Sequence, residues 1–144
     1  MAVSDWNLGE EGMCPQRLVL EHVTSRWGVL VLIALDERSH RFSELRRALG
    51  RVSEKMLTQT LQTLERDGLV HRDAKPVIPP RVDYSLTDLG REVGQQVRAL
   101  AEWTERRLGD VQEARKTYDD ARKTYDDARK TNRDARKTYD EARS

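Results

Sequence analysis

Between Arg38 and Arg81 the chain gathers ten basic side chains, Arg38, Arg41, Arg46, Arg47, Arg51, Lys55, Arg66, Arg72, Lys75 and Arg81, against five acidic ones. The whole 144-residue chain is only +1, because acidic stretches at 1–37 and 82–113 offset this centre. A basic middle between acidic flanks suits a face that neutralises phosphates, the sequence-independent part of DNA affinity. Chance clustering of surface arginine would give the same balance, so charge alone decides nothing. Spacing adds more. Turning about 100° per residue, a helix over Glu54 to about Asp67 puts Leu57, Leu61, Leu64, Met56 and Thr60 on its core side. Lys55, Thr58, Gln59, Gln62 and Arg66 fall opposite. Long hydrogen-bonding side chains of this kind reach base edges in a major groove: glutamine pairs with adenine, lysine with guanine, and a threonine methyl touches thymine. Taken alone, the same face also describes an ordinary amphipathic surface helix.

Other chemistries fare worse. His22, His40 and His71 are scattered without metal-ligand spacing, and one cysteine, Cys14, cannot complete a zinc set. No glycine-rich phosphate loop and no nucleophile elbow is present. We therefore expect no enzyme, no metal and no cofactor. The longest apolar run, Val29 to Leu35, is far short of the ~20 residues that span a bilayer. No basic, then apolar, opening suggests secretion, so the expected setting is cytoplasmic, without membrane attachment.

The elements that must carry the candidate residues follow from local patterns. Residues 1–13 read as a loose arm, with Trp6 and Leu8 as docking points. Pro15 suits a first helical position, and Leu18, Val19 and Val23 give that helix an apolar side. Trp27, Leu30, Val31, Ala34 and Leu35 follow at helical spacing, flanked by Leu32 and Ile33, as in a core helix. His40 to Phe42 is a short extended candidate. Ser43 is then placed to cap a brief helix with Leu45, Ala48 and Leu49 on one side, ended by Gly50. Ser53 caps the next, and Gly68 ends it. Two short helices joined by a tight turn form a helix-turn-helix.

Beyond Gly68 the period falls towards two: Val70, Arg72 and Ala74, then Val82, Tyr84 and Leu86. The intervening Lys75 to Arg81 holds three prolines, which belong in a loop and not in a central strand. This predicts a β-hairpin wing with Lys75 and Arg81 as cationic shoulders for phosphate or minor-groove contact. Ser43, Arg46 and Arg47 are placed to grip phosphates beside it. Thr87 caps a long last helix striped by Leu89, Val93, Val97, Leu100, Trp103 or Thr104, Leu108 and Val111. The fold class is mainly α with a small β-hairpin wing. The boundaries are an arm at 1–13, a winged helix-turn-helix domain at 14–113 and a charged heptad-repeat tail at 114–144.

That tail repeats Ala-Arg-Lys-Thr-Tyr-Asp-Asp, broken at Asn132. Acid-before-base pairs such as Asp119/Lys123 and Asp126/Lys130 favour a helix. With Ala and Thr taken as a and d, a coiled-coil seam is weak. A solvated helix, a self-pairing coil and disorder all remain open.

From Cys14-Pro15 through Trp103 the chain resembles the HxlR family of bacterial and archaeal winged-helix regulators. The carrying residues are Cys14-Pro15, Arg26-Trp27, Arg41-Phe42-Ser43-Glu44-Leu45, Ser53-Glu54-Lys55-Met56-Leu57-Thr58, Leu64-Glu65-Arg66-Asp67-Gly68-Leu69 and Pro80-Arg81-Val82-Asp83-Tyr84-Ser85-Leu86-Thr87. The resemblance implies a homodimer held by terminal helices, binding double-stranded DNA at an inverted-repeat operator. Leu18, Val97, Leu100, Trp103 and Leu108 are the residues we assign to that dimer contact. Geometry agrees: one recognition helix reads few base pairs, whereas a two-fold pair places two helices ~34–36 Å apart, one turn of DNA. Several relatives sense electrophiles, quinones or oxidants through the early cysteine, so Cys14 is the sensor candidate. A thiol at a helix N-terminus is placed to react as thiolate; a buried, inert cysteine is the alternative. Without a second cysteine, oxidation must join two chains or take up a small thiol. The competing reading is a winged helix that binds protein and not DNA, which leaves Arg46, Lys55, Lys75 and Arg81 without a purpose.

Overall fold

The computed structural model describes residues 14–143. It holds α1 (Pro15–Thr24), α2 (Arg26–Glu37), β1 (His40–Arg41), α3 (Phe42–Leu49), α4 (Glu54–Arg66), β2 (Val70–Lys75), β3 (Arg81–Leu86) and α5 (Asp88–Arg143). The chain forms two compact units divided after Ala101, twelve residues earlier than the boundary expected at 113. The arm at 1–13, with Trp6 and Leu8, lies outside the described residues.

In the unit ending at Ala101, Cys14 precedes α1 and its carbonyl accepts the Leu18 N–H. The helices α1 and α2 meet at 71°. Ser25 makes that corner, its hydroxyl oxygen accepting the Gly28 N–H at 3.1 Å as the cap of α2. Val31, Leu32 and Leu35 of α2 are buried among Leu45 of α3 and Leu57, Leu61 and Leu64 of α4. Each buried Leu or Val is worth about 1.5–3 kcal/mol relative to exposure, so these three helices form the stable base of the site. Gly50 (φ 82°) and Gly68 (φ 76°) end α3 and α4 in the left-handed region, where a side chain would be strained.

The sheet has the order β1-β3-β2, antiparallel throughout. Val70 pairs with Leu86 at the inner end of the hairpin, and Lys75 with Arg81 at the outer end. Only that inner end is buried. From His71 onward β2 is exposed, so its alternating pattern does not mark a core face. Arg98 of α5 donates to Asp36 at 2.8 Å and to the Ile33 carbonyl at 3.1 Å, fixing the start of α5 against α2.

Val97 was expected at a subunit contact. It is only 6% exposed and belongs to the core of its own protomer, because the first turns of α5 pack on α2 and β3 before the helix leaves the core. The second unit, from Glu102, is helical to Arg143, with its side chains exposed apart from a half-buried Val111.

Candidate nucleic-acid interface

Helix α4 starts where its sequence directs. Ser53 accepts the Met56 N–H at 3.1 Å, and Glu54 stands in the first turn, where a negative charge favours the helix dipole. Leu57, Leu61 and Leu64 are buried, which turns Lys55, Thr58, Gln59, Gln62 and Arg66 outward; all five are exposed. Met56 does not join the core as expected. It is 43% exposed and lines an open depression with Trp27, Glu21 and Ser25, at the corner where α1 turns into α2. Thr60 is half-buried beside it, its hydroxyl donating to the Met56 carbonyl.

Ser43 is exposed but does not cap α3. The helix begins at Phe42 with Arg41 as its cap residue, and the Glu44 carboxylate accepts the Arg41 N–H at 3.2 Å. Pairing of Arg41 with Asp83 holds that residue extended and moves the start back two positions. The backbone N–H of Arg41 holds the Glu44 carboxyl below its ordinary range; some loss of solvent opposes this, and Arg38 reinforces it.

Arg46 and Arg47 are both exposed, yet they are not equivalent. Arg46 donates to the Val52 carbonyl at 3.2 Å and to Glu54 at 3.1 Å. At the wing, the Asp83 carboxylate lies 3.2 Å from both Lys75 Nζ and Arg81 Nε. Partial removal from water works against its charge, but hydrogen bonds from Lys75 and Arg81 outweigh that and keep the Asp83 carboxyl low.

Helical spacing does not single out Arg38, Arg41 or Arg72, although all three lie inside the basic segment. Arg38 and Arg41 line a cleft with Ser39, Ser43 and Arg81, on the β1 side of the wing. Arg38 is held by Glu44 at 3.2 Å. The signal for Arg38 and Arg41 was the charge count itself; their position, beside the first residues of β3, needed the sheet pairing. Arg72 likewise shares a cleft with Thr58 and Gln62, where β2 comes alongside α4. His22, His40 and His71 sit on three different elements, and no group of three or more His, Cys, Asp or Glu is placed to hold a metal among the described residues. Nor is any single helix among them long and apolar enough to cross a membrane.

A helix-turn-helix with a three-stranded wing and a cation-lined outer face defines a winged-helix DNA-binding regulator, not an enzyme. The HxlR-like helix-turn-helix profile matches residues 22–112, and the chain belongs to that family. It is 61% identical over 102 residues to YtfH of Escherichia coli K12, an uncharacterized HTH-type transcriptional regulator, covering 71% of this chain and 81% of that one. A solved YtfH structure from Salmonella typhimurium, described as a transcriptional regulator, superposes with TM-score 0.69 at 56% identity, over 75% of this chain and 95% of that one. The redox regulator HypR in its oxidized form superposes with TM-score 0.59 at 36% identity, over 64% and 95%. The chain is thus a transcriptional regulator with a helix-turn-helix domain.

Proposed function

We propose that the protein binds an inverted-repeat operator as a homodimer, as a repressor rather than an activator, and that Cys14 tunes this binding. The outward face of α4 carries the reading. Lys55, Thr58, Gln59, Gln62 and Arg66 are all exposed on a helix whose other side is anchored by three buried leucines. Groove-reading needs this arrangement, a rigid helix presenting polar side chains. Lys75 and Arg81 on the wing, with Arg47 and Ser43 on α3, supply phosphate contacts that set register without reading sequence.

Leu18, Leu100, Trp103 and Leu108 remain the proposed contacts between protomers. Leu18 is half-buried and the other three are exposed, so each has apolar surface for a twin to cover. Titrating the protein against its own upstream DNA at two salt concentrations tests the reading. Tight, steeply salt-dependent binding weakened by Lys55→Ala and Arg81→Ala is expected; flat or absent binding would favour a protein-binding winged helix.

For Cys14 the support is its place. It is the residue before α1, only partly buried and without a disulfide partner in the chain. A relative of known structure is a redox regulator. Operator release by diamide or a quinone is expected in the wild type and not in Cys14→Ser. Equal release in both would remove the sensor, leaving the DNA reading intact.

A further inference from the structure

The repeat beyond Glu113 has no part in the reading above. In the unit from Glu102 onward, Tyr118, Tyr125 and Tyr139 are 67, 59 and 64% exposed. They recur in phase at multiples of seven residues, each followed three residues later by an alanine. From Tyr118 to Ala142 the stripe thus advances by alternate steps of three and four. Tyrosine fills the a positions, alanine the d positions, and Asn132 takes the one a position where tyrosine is missing. This frame sets tyrosine, not threonine, beside alanine.

We propose that this stripe pairs with the same stripe of a second copy of the chain, as a parallel, in-register two-stranded coiled coil. The strict period of seven is the first argument. On a straight helix such a stripe drifts by about 20° per heptad, and only left-handed supercoiling around a partner keeps it a continuous seam. The flanking positions choose the direction. Arg115, Arg122, Arg129, Arg136 and Arg143 hold every e position, and threonine every g position. Antiparallel helices would set e against e and bring arginine rows together; parallel helices set e against g, arginine against threonine.

Asn132 chooses the register. In register, two side-chain amides face each other across the seam and each donates to the other; any slip buries an amide beside tyrosine or alanine without a partner. Alanine at d lets the helices approach closely, while the tyrosine rings cover the gap and keep their hydroxyls in water. A stripe without net charge, repeated along its length, is complementary to itself.

The test uses the full chain in a Cys14→Ser background, with single cysteines at the seam (Tyr118→Cys or Tyr139→Cys, both leaving Asn132 in place) or facing outward (Lys130→Cys). Helicity is checked for each by circular dichroism, and cross-linking under mild oxidation is followed on non-reducing gels. Both seam variants are expected to cross-link at least roughly tenfold faster than Lys130→Cys, through their high effective concentration. Cross-linking between mixed Tyr118→Cys and Tyr139→Cys chains, with neither cross-linking to itself, would indicate antiparallel pairing and overturn the proposal. Equal rates at seam and outward positions would overturn it too, in favour of an unpaired helix or a different partner. Either result leaves the DNA reading untouched.

Discussion

The guanidinium of Arg46 on α3 lies 3.1 Å from the carboxylate of Glu54, the first residue of α4. The same side chain donates through Nε to the Val52 carbonyl, in the turn between the two helices. One arginine of the first helix therefore fixes the turn that aims the second. Arg47 beside it has no ion-pair partner among the described residues, so it is available for the phosphate contact proposed above.

Arg46→Ala is accordingly expected to act on stability. The ion pair to Glu54 is exposed and worth little, but the bond to the partly buried carbonyl is charge-assisted, and its loss should cost about 1 kcal/mol. Arg47→Ala should leave the thermal midpoint unchanged and lower the slope of log K against log salt by about 1. Thermal melts and binding at several salt concentrations separate the two. If Arg46→Ala changes only the salt slope, the clasp is not what fixes the turn.

Lys75 and Arg81 share a single carboxylate, that of Asp83, so much of the wing's charge is spent internally. Asp83→Asn frees Arg81 and leaves Lys75 only its longer contact with Asp73, at 4.0 Å. Binding to a random duplex should tighten several-fold, and the salt slope should steepen by about 1. Fluorescence anisotropy on non-operator DNA reads both. An unchanged slope would mean that the shoulders do not approach phosphate.

How much of this was legible in the sequence differs by element. Pro15, Ser53, Gly50, Gly68 and Thr87 act where local chemistry puts them, because caps and left-handed turns depend on one or two residues. The start of α3 was misjudged because it depends on a strand pairing: Arg41 is held extended by β3, which lies forty residues away in sequence. Met56 and Val97 failed for a related reason. A helical wheel gives direction but not coverage, and coverage depends on where α1 and α2 bend and where α5 leaves the core. The exposed face of α4 was legible because three leucines at spacings of four and three residues leave one way for it to turn. Arg46 was legible as a cation, but its job was not, since Glu54 becomes its neighbour only when the turn closes.

Glu44 carries a pH dependence. Its carboxyl is held below the ordinary range, chiefly by the Arg41 N–H. A depressed folded value means that the stabilisation is complete above the unfolded value of about 4.3 and is lost as pH falls through the lower, folded one. Denaturant midpoints followed from pH 7 down to about 3 should fall more for the wild type than for Glu44→Gln, which lacks the titrating group. Parallel curves would show that this cap contributes nothing.

Two glycines of α5 should respond in opposite directions to the same substitution. At Gly90 an added Cβ would overlap the Leu69 carbonyl oxygen, which already accepts the Thr87 N–H at 3.1 Å. The obstacle is backbone, so nothing can swing aside, and the start of α5 must lift from the strand that leads into the wing. Gly90→Ala should therefore cost about 1–3 kcal/mol. At Gly109 a Cβ meets nothing within 4 Å, and the residue lies inside a helix. There the methyl only narrows the unfolded ensemble and favours helix, a gain of about 0.5–1 kcal/mol. Urea unfolding of the two variants, with the wild type beside them, measures both shifts. Since the chemical change is identical, a common sign would show that close packing at Leu69 does not hold α5 in place.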